Sequence, residues 1–183
     1  MSDQPVPPPP STPTARPESR EITELRRLKQ DQPDLAAAAD LQIELLQIQR
    51  RIQTRVPLPS IKLEADHLNS LLTTGPILQF EHLPVDWSDL RFLLRATATT
   101  MRNHDALEDA QHRRAEELAL RGDALPGIVR SWYEAVRPGA GPVSPELEGL
   151  EAVVQQAMRP FLTRAGEAVM ARSDLAGWNR GSC

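Results

Sequence analysis

Apolar residues recur three and four positions apart along most of this chain, which is the spacing of an amphipathic α-helix. Helices are predicted, in chain order, at Glu18 to Gln30, Pro33 to Val56, Glu64 to Thr73, Asp86 to Met101, Asp105 to Arg121, Asp123 to Val136 and Ser144 to Val169. Strand propensity is low throughout. The apolar stretch Ile77 to Val85 is predicted to be a buried connection, with a strand as the weaker alternative. The pattern predicts an all-α fold, a single helical domain of about six to seven packed helices.

Two segments of different composition flank the predicted domain. Seven of the 17 prolines lie in residues 1–17, which are otherwise polar and are expected to form a disordered, proline-rich tail. The helical domain is predicted at residues 18–176. Residues 177–183, which begin with Gly177, are predicted to be an irregular linker.

The best-capped helix and the largest apolar stripe are expected in the segment that starts at Ser144. Ser144 suits the N-cap position, and Pro145 suits the first helical position. One face then holds Leu147, Leu150, Val154, Ala157, Phe161, Ala165 and Val169. Pro160 falls inside this pattern, removes one backbone donor and crowds the carbonyl of Gln156, so we expect a kink there. The pattern resumes afterwards, which predicts a bent helix and not an ended one.

The helix predicted from Pro33 to Val56 has heptad-like spacing. Its stripe consists of Leu35, Ala38, Leu41, Leu45, Ile48, Ile52 and Val56. A coiled coil is one interpretation of this spacing. A buried helix of a bundle is favoured, because only about three heptads fit and other apolar helices are present to pack against it.

Three further helices have predicted inward faces. Asp86 is expected to cap a helix that buries Trp87, Leu90, Leu93, Leu94, Thr97 and Met101. The next helix is expected to bury Leu107, Ala110, Ala115, Leu118 and Leu120. Asp123 is then expected to cap a helix that buries Ile128, Val129, Trp132, Tyr133 and Val136.

The charge and the amino-acid composition exclude several kinds of binding partner and cellular location. The net charge of −4, with arginines scattered among acidic residues, argues against nucleic acid or an anionic membrane as the partner. Met1 opens into a polar segment, so no secretory signal peptide is expected, and no apolar run approaches the ~20 residues that span a bilayer. The single cysteine excludes an internal disulfide. These features predict a cytoplasmic protein.

The candidate metal ligands do not form a set that suits one ion. His104, Glu108 and His112 are four apart, but His104 and His112 would lie about 12 Å apart along a helix axis, because each residue rises 1.5 Å. A solvated, salt-bridged face is therefore favoured over a metal clamp. His67 and His82 lie near carboxylates but have no nucleophile beside them. No catalytic motif is present, so we expect neither an enzyme nor stoichiometric metal in the isolated chain.

Four segments carry a resemblance to a known family. They are Gln156 to Leu162 (QAMRPFL), Trp178 to Cys183 (WNRGSC), Leu71 to Leu78 (LLTTGPIL) and the helix Leu35 to Ile52. Together they resemble the helical N-terminal half of the formate dehydrogenase accessory (formation) protein family. In that family a linker of this kind leads into cysteine-rich, iron-binding modules. The resemblance implies that Cys183 is the first ligand of an incomplete metal site, with the other cysteines beyond it and no cofactor within this chain.

The resemblance also implies a function. Members of the family assist the assembly of active formate dehydrogenase and contact its molybdenum- or tungsten-containing catalytic subunit. We therefore expect a non-enzymatic maturation factor that docks this subunit, with Trp178, Trp132 and Tyr133 as candidate contact residues because aromatic side chains dominate binding hot spots. The alternative is a generic helical scaffold or oligomerisation domain that uses the Leu35–Val56 and Leu147–Val169 stripes.

Overall fold

The computed structural model of the protein describes residues 19–60, 78–135 and 144–171. Six α-helices lie within these ranges: α1 at Arg20–Asp31, α2 at Ala36–Gln53, α3 at Trp87–Asn103, α4 at Asp109–Ala119, α5 at Leu125–Ala135 and α6 at Glu151–Met170. Short 3-10 turns occur at Pro33–Leu35, Phe80–His82, Gly122–Ala124 and Pro145–Leu147. No strand occurs in the described ranges, so the predicted all-α class is confirmed. The tail at residues 1–17, the helix at Glu64 to Thr73 and the linker at residues 177–183 lie outside these ranges.

The bundle is centred on α3 and α6. Helix α3 packs against α2, α4 and α6, and α2 also packs against α6. The predicted stripe that begins at Leu147 and continues through α6 is the centre of the core, because Leu147, Leu150, Val154, Ala157, Phe161 and Ala165 are all fully buried. Burial of this apolar face is what holds the helices together, since short helices are marginal in isolation.

Helix α1 packs mainly on α2 and forms a small cluster of its own. Ile22 packs with Ile43 and Leu46 of α2, apart from the main core. The two helices run in opposite directions, since Lys29 Nζ near the end of α1 contacts Asp40 at 2.6 Å near the start of α2. Helix α1 therefore contributes no residue to the main core.

The inward face of α2 differs from the predicted stripe at its start. Leu35 is 42% exposed and Ala38 is exposed, whereas Ala39, Ile43 and Leu46 are buried. The reason is that α2 begins only at Ala36, and α1 covers the side of the helix next to the predicted one. Leu45, Ile52 and Val56 are buried as predicted.

The caps of α3 explain where that helix begins and ends. Asp86 caps α3 as predicted, since its carboxylate accepts from the backbone N–H groups of Ser88 and Asp89, each at 2.9 Å. At the other end Asp105 adopts φ +56°, and the N–H of Ala106 donates to the carbonyl of Met101 at 2.8 Å. This arrangement is a helix-ending motif.

Three predicted helix starts or faces are wrong in detail. Helix α4 begins at Asp109 and not at Asp105, because the left-handed turn at Asp105 separates it from α3. Ala110 is exposed, and Leu120 is 75% exposed because it follows the last residue of α4. Asp123 lies within the turn Gly122–Ala124 and does not itself precede α5.

The segment at Ser144 also differs from the prediction. Ser144 precedes the 3-10 turn Pro145–Leu147, and its hydroxyl donates to the Glu146 carboxylate and does not accept from a backbone N–H of the turn. Gly149, with φ +73°, then separates this turn from α6, a conformation that residues with a side chain rarely adopt. The last α-helix therefore begins at Glu151 without a side-chain cap. It does continue through Pro160, as predicted.

Candidate functional site

Five residues form a cluster at the surface between α5 and the turn that precedes α3. We call Phe80, Glu81, Trp87, Arg130 and Tyr133 the aromatic corner. Phe80 and Glu81 belong to the turn Phe80–His82, and Trp87 is the first residue of α3. Arg130 and Tyr133 are three apart on α5 and therefore share one helix face.

A backbone contact fixes the position of the turn against α5. The Tyr133 hydroxyl donates a hydrogen bond of 2.8 Å to the carbonyl of Leu78. Phe80, the first residue of the turn, and Leu83, which directly follows it, are buried in the main core. The alternative of a strand is excluded for residues 78–85, and the predicted burial holds at Phe80 and Leu83 but not at Gln79 and Glu81, which are exposed.

The rings of the aromatic corner pack at tilted angles around Phe80. The Phe80 ring centroid lies 5.8 Å from that of Tyr133 and 6.4 Å from that of Trp87, with interplanar angles of 50° and 41°. These separations fall in the favourable range for aromatic pairs. The Arg130 guanidinium carbon lies 5.1 Å from the Phe80 centroid, within cation–π range.

Arg130 also makes the main charged contact of the aromatic corner. Its guanidinium contacts the Glu81 carboxylate at 2.6 Å and the Glu134 carboxylate at 3.8 Å. Arg130 and Glu81 are both about half exposed, with side-chain exposures of 44% and 53%. The surface of the corner therefore offers an ordered arginine beside aromatic rings.

The pKa of the Glu81 carboxyl lies below the ordinary value of 4.5, first because its own backbone N–H donates to it and second because Arg130 does. A lowered pKa in the folded state means that the charged form favours folding. This contribution is present above the ordinary pKa and is lost as the pH falls through the lowered one. We expect an NMR titration of the Glu81 carboxyl carbon to give a midpoint below that of an unstructured glutamate.

The same titration tests the pairing with Arg130. In Arg130→Gln the midpoint should rise but stay below the ordinary value, because the backbone hydrogen bond remains. Arg95→Gln, a change at an exposed position of α3, is the matched control and should leave the midpoint where it was. An unchanged midpoint in Arg130→Gln would contradict the pairing.

The predicted contact residues differ in their accessibility. Trp132 is only 5% exposed and packs in the main core, on the inward face of α5. Tyr133 is half-buried and belongs to the aromatic corner. Trp178 and Cys183 lie outside the described residues. The structure therefore brings one predicted contact residue, Tyr133, together with Phe80, Trp87 and Arg130, which the sequence did not single out as contacts.

The histidines near the junction of α3 and α4 are separated from one another. His104 Nε2 lies 3.2 Å from the Glu44 carboxylate, whereas His112 Nε2 lies 3.3 Å from the Thr99 hydroxyl. Glu108 caps α4 and is not on a shared face with both histidines. His112 is buried, so the prediction of a solvated, salt-bridged face is wrong at this residue. Within the described ranges no three His, Cys, Asp or Glu side chains are placed to hold a metal ion.

Comparison with known proteins gives no match: no family model matches the chain, and neither a curated protein nor a solved structure does. The resemblance to formate dehydrogenase accessory proteins therefore stays a prediction from the sequence. Within the described residues, no helix is both long enough and apolar enough to cross a membrane.

Proposed function

We propose that this chain is a non-catalytic, cytoplasmic accessory protein that binds a client protein through the aromatic corner. The observation that carries the proposal is the placement of Tyr133 and Arg130 at the surface around Phe80. Tyrosine and arginine are among the residues that contribute most to binding at protein interfaces. The ring contacts and the Tyr133–Leu78 hydrogen bond hold this surface in one conformation, which lowers the entropy lost on binding.

We infer the client from the sequence resemblance alone. The proposed client is the catalytic subunit of a formate dehydrogenase during its assembly. The mechanism is docking: the helical surface holds the subunit, and no chemical step is assigned to the described residues. Iron bound by cysteines beyond Cys183 is implied by the family and has no role in this docking step.

The alternative of an oligomerisation domain is less well supported. The Leu147–Val169 stripe is enclosed by the chain itself, with Leu147, Val154 and Phe161 fully buried. The Leu35–Val56 stripe is partly covered in the same way, since Ile52 and Val56 belong to the main core. A stripe that already packs within one copy is not free to pair with a second copy.

A binding assay tests the proposed function. The purified chain is immobilised, and the purified catalytic subunit of the formate dehydrogenase from the same source is titrated over it. We expect saturable binding that weakens at least about tenfold in Tyr133→Ala, because truncating a hot-spot residue costs about 2 kcal/mol or more. Arg130→Ala should weaken binding by a similar factor.

The matched control is Phe92→Ala, which truncates an aromatic residue that is 41% exposed on α3, outside the aromatic corner. It should bind as the parent does. Binding that is equally weakened by all three substitutions would place the contact elsewhere. The absence of any binding to the catalytic subunit would contradict the proposed client.

A further inference from the structure

A polar cleft of about 250 Å³ lies where α1, α2 and α6 meet, away from the aromatic corner. Its lining includes Glu21, Gln49, Arg50, Gln53, Arg159 and Thr163. Three different helices therefore contribute hydrogen-bonding or charged groups to one depression, with Arg50 on α2 and Arg159 on α6.

Two arginines converge on a single carboxylate in this cleft. The Arg50 guanidinium lies 3.7 Å from one oxygen of Glu21, and the Arg159 guanidinium lies 3.8 Å from the other. Both distances exceed the 2.7–3.2 Å range of N–H···O hydrogen bonds. Glu21 therefore attracts both arginines without using their N–H donors.

The charge at this end of the cleft is positive. Glu167, the other acidic lining residue, is paired with Arg164 and accepts a hydrogen bond from Gln53 at 3.1 Å. Glu21 is left as one negative charge between the two positive charges of Arg50 and Arg159. The net charge of these three groups is therefore +1, and their side chains are about half exposed to solvent.

We propose that this cleft is a binding site for a small oxyanion, a phosphate or carboxylate group, which Arg50 and Arg159 hold between them. The planar guanidinium group matches both anions because it offers parallel N–H donors to two oxygens. The Glu21 carboxylate lies where the negative charge of the ligand would lie, so it competes with the ligand for the two arginines. The proposal does not depend on the proposed docking function.

The wall of the cleft holds one exposed hydroxyl besides the arginines. The Gln49 side chain is 3% exposed, and its Oε1 has no hydrogen-bond partner among the described residues but is itself buried, so it is not open to a ligand. Thr163 is exposed and offers a hydroxyl on the α6 side. The volume lies just below the ~300–1,000 Å³ of ordinary small-molecule sites, so the cleft suits a ligand the size of a phosphate or a short di- or tricarboxylate.

An NMR titration of the ¹⁵N-labelled chain tests the site. Sodium phosphate is one probe and citrate is the other, each added at constant ionic strength because screening alone would alter surface charges. We expect saturable shifts at the Nε signals of Arg50 and Arg159. Arg159→Gln should weaken binding at least about tenfold, because it removes one of the two charged groups whose N–H donors hold the anion.

Two further variants make the result decisive. Glu21→Gln removes the competing charge and should strengthen binding about threefold or more, since a factor of three requires less than 1 kcal/mol. Arg51→Gln changes the neighbouring exposed arginine of α2, which does not line the cleft, and should bind as the parent does. Circular dichroism should show equal helix content in all variants.

The outcomes separate the ligand classes. Tighter binding of phosphate than of citrate would assign a phosphate group, and the reverse would assign a carboxylate. Failure of Glu21→Gln to bind either probe would overturn the proposal, as would equal binding by Arg159→Gln and the parent chain. A glutamate-rich peptide that binds with the same arginine dependence when neither small anion does would overturn the small-molecule assignment.

Discussion

Replacement of Phe161 by alanine is expected to lower the free energy of unfolding by about 3–5 kcal/mol. Phe161 is fully buried in the middle of α6, which packs against both α2 and α3. The loss combines the transfer free energy of the ring with the cavity that rigid neighbours cannot close. Because domains of this size have a free energy of unfolding of only about 5–15 kcal/mol, the variant should retain only a small part of its stability. Urea unfolding followed by circular dichroism measures the change.

Phe92→Ala is the matched control for this experiment. The same ring is removed from a position on α3 that is 41% exposed, so the change should stay within about 1 kcal/mol. Similar losses from both substitutions would show that α6 is not the centre of the core. A smaller loss from Phe161→Ala than from Phe92→Ala would contradict the packing described above.

Gln49→Leu is expected to cost about 1–3 kcal/mol, although leucine has a similar size and is apolar. The reason lies in Pro160, which has no N–H to donate to the Gln156 carbonyl one turn earlier. The Gln49 amide supplies the missing donor, at 3.0 Å from that carbonyl and 2.9 Å from the Gln156 side-chain oxygen. Leucine would leave the carbonyl without either donor.

A double-mutant cycle isolates this contact. Pro160→Ala restores a backbone N–H at position 160, so the cost of Gln49→Leu should fall by about 0.5–2 kcal/mol when both changes are combined. Gln53→Leu is the control: its amide reaches only the exposed Glu167 side chain, and its cost should stay within about 0.5 kcal/mol with or without the proline. Strictly additive changes for Gln49 and Pro160 would contradict this role for Gln49.

The sequence predicted the parts of the fold that depend on local pattern. The Asp86 cap and the buried positions of α3 and α6 follow from spacing and capping chemistry, which act within a few residues. The errors in the predicted helices occur where an apolar spacing was continued beyond the end of a helix. Leu120 continues an apolar spacing, but the helix has already ended at Ala119. In the run Ala36 to Ala39 every residue is alike, so the sequence does not indicate that Ala39 is the buried one.

The candidate sites depend on contacts that spacing does not reveal. Adjacent aromatic residues lie about 100° apart on a helix, so Trp132 and Tyr133 could not be assigned to the core and the surface from their own positions. Arg130 pairs with Glu81, which is far from it in the sequence. Arg50 and Arg159 come together only because both contact Glu21 of a third helix. Pro160 did indicate an unsatisfied carbonyl at Gln156, although not its donor.

The pairing of α2 with α6 has a consequence for the order of folding. Helices α1 and α2 are joined by a short turn, as are α3 and α4, so both pairs form from contacts close in the sequence. The Gln49–Gln156 contact instead joins residues 107 positions apart. Because contacts that close long loops follow local ones, we expect the two hairpins to form first and α6 to join them last. During synthesis at about 5–20 residues per second, the apolar faces of α2 and α3 then stay uncovered for several seconds until α6 leaves the ribosome.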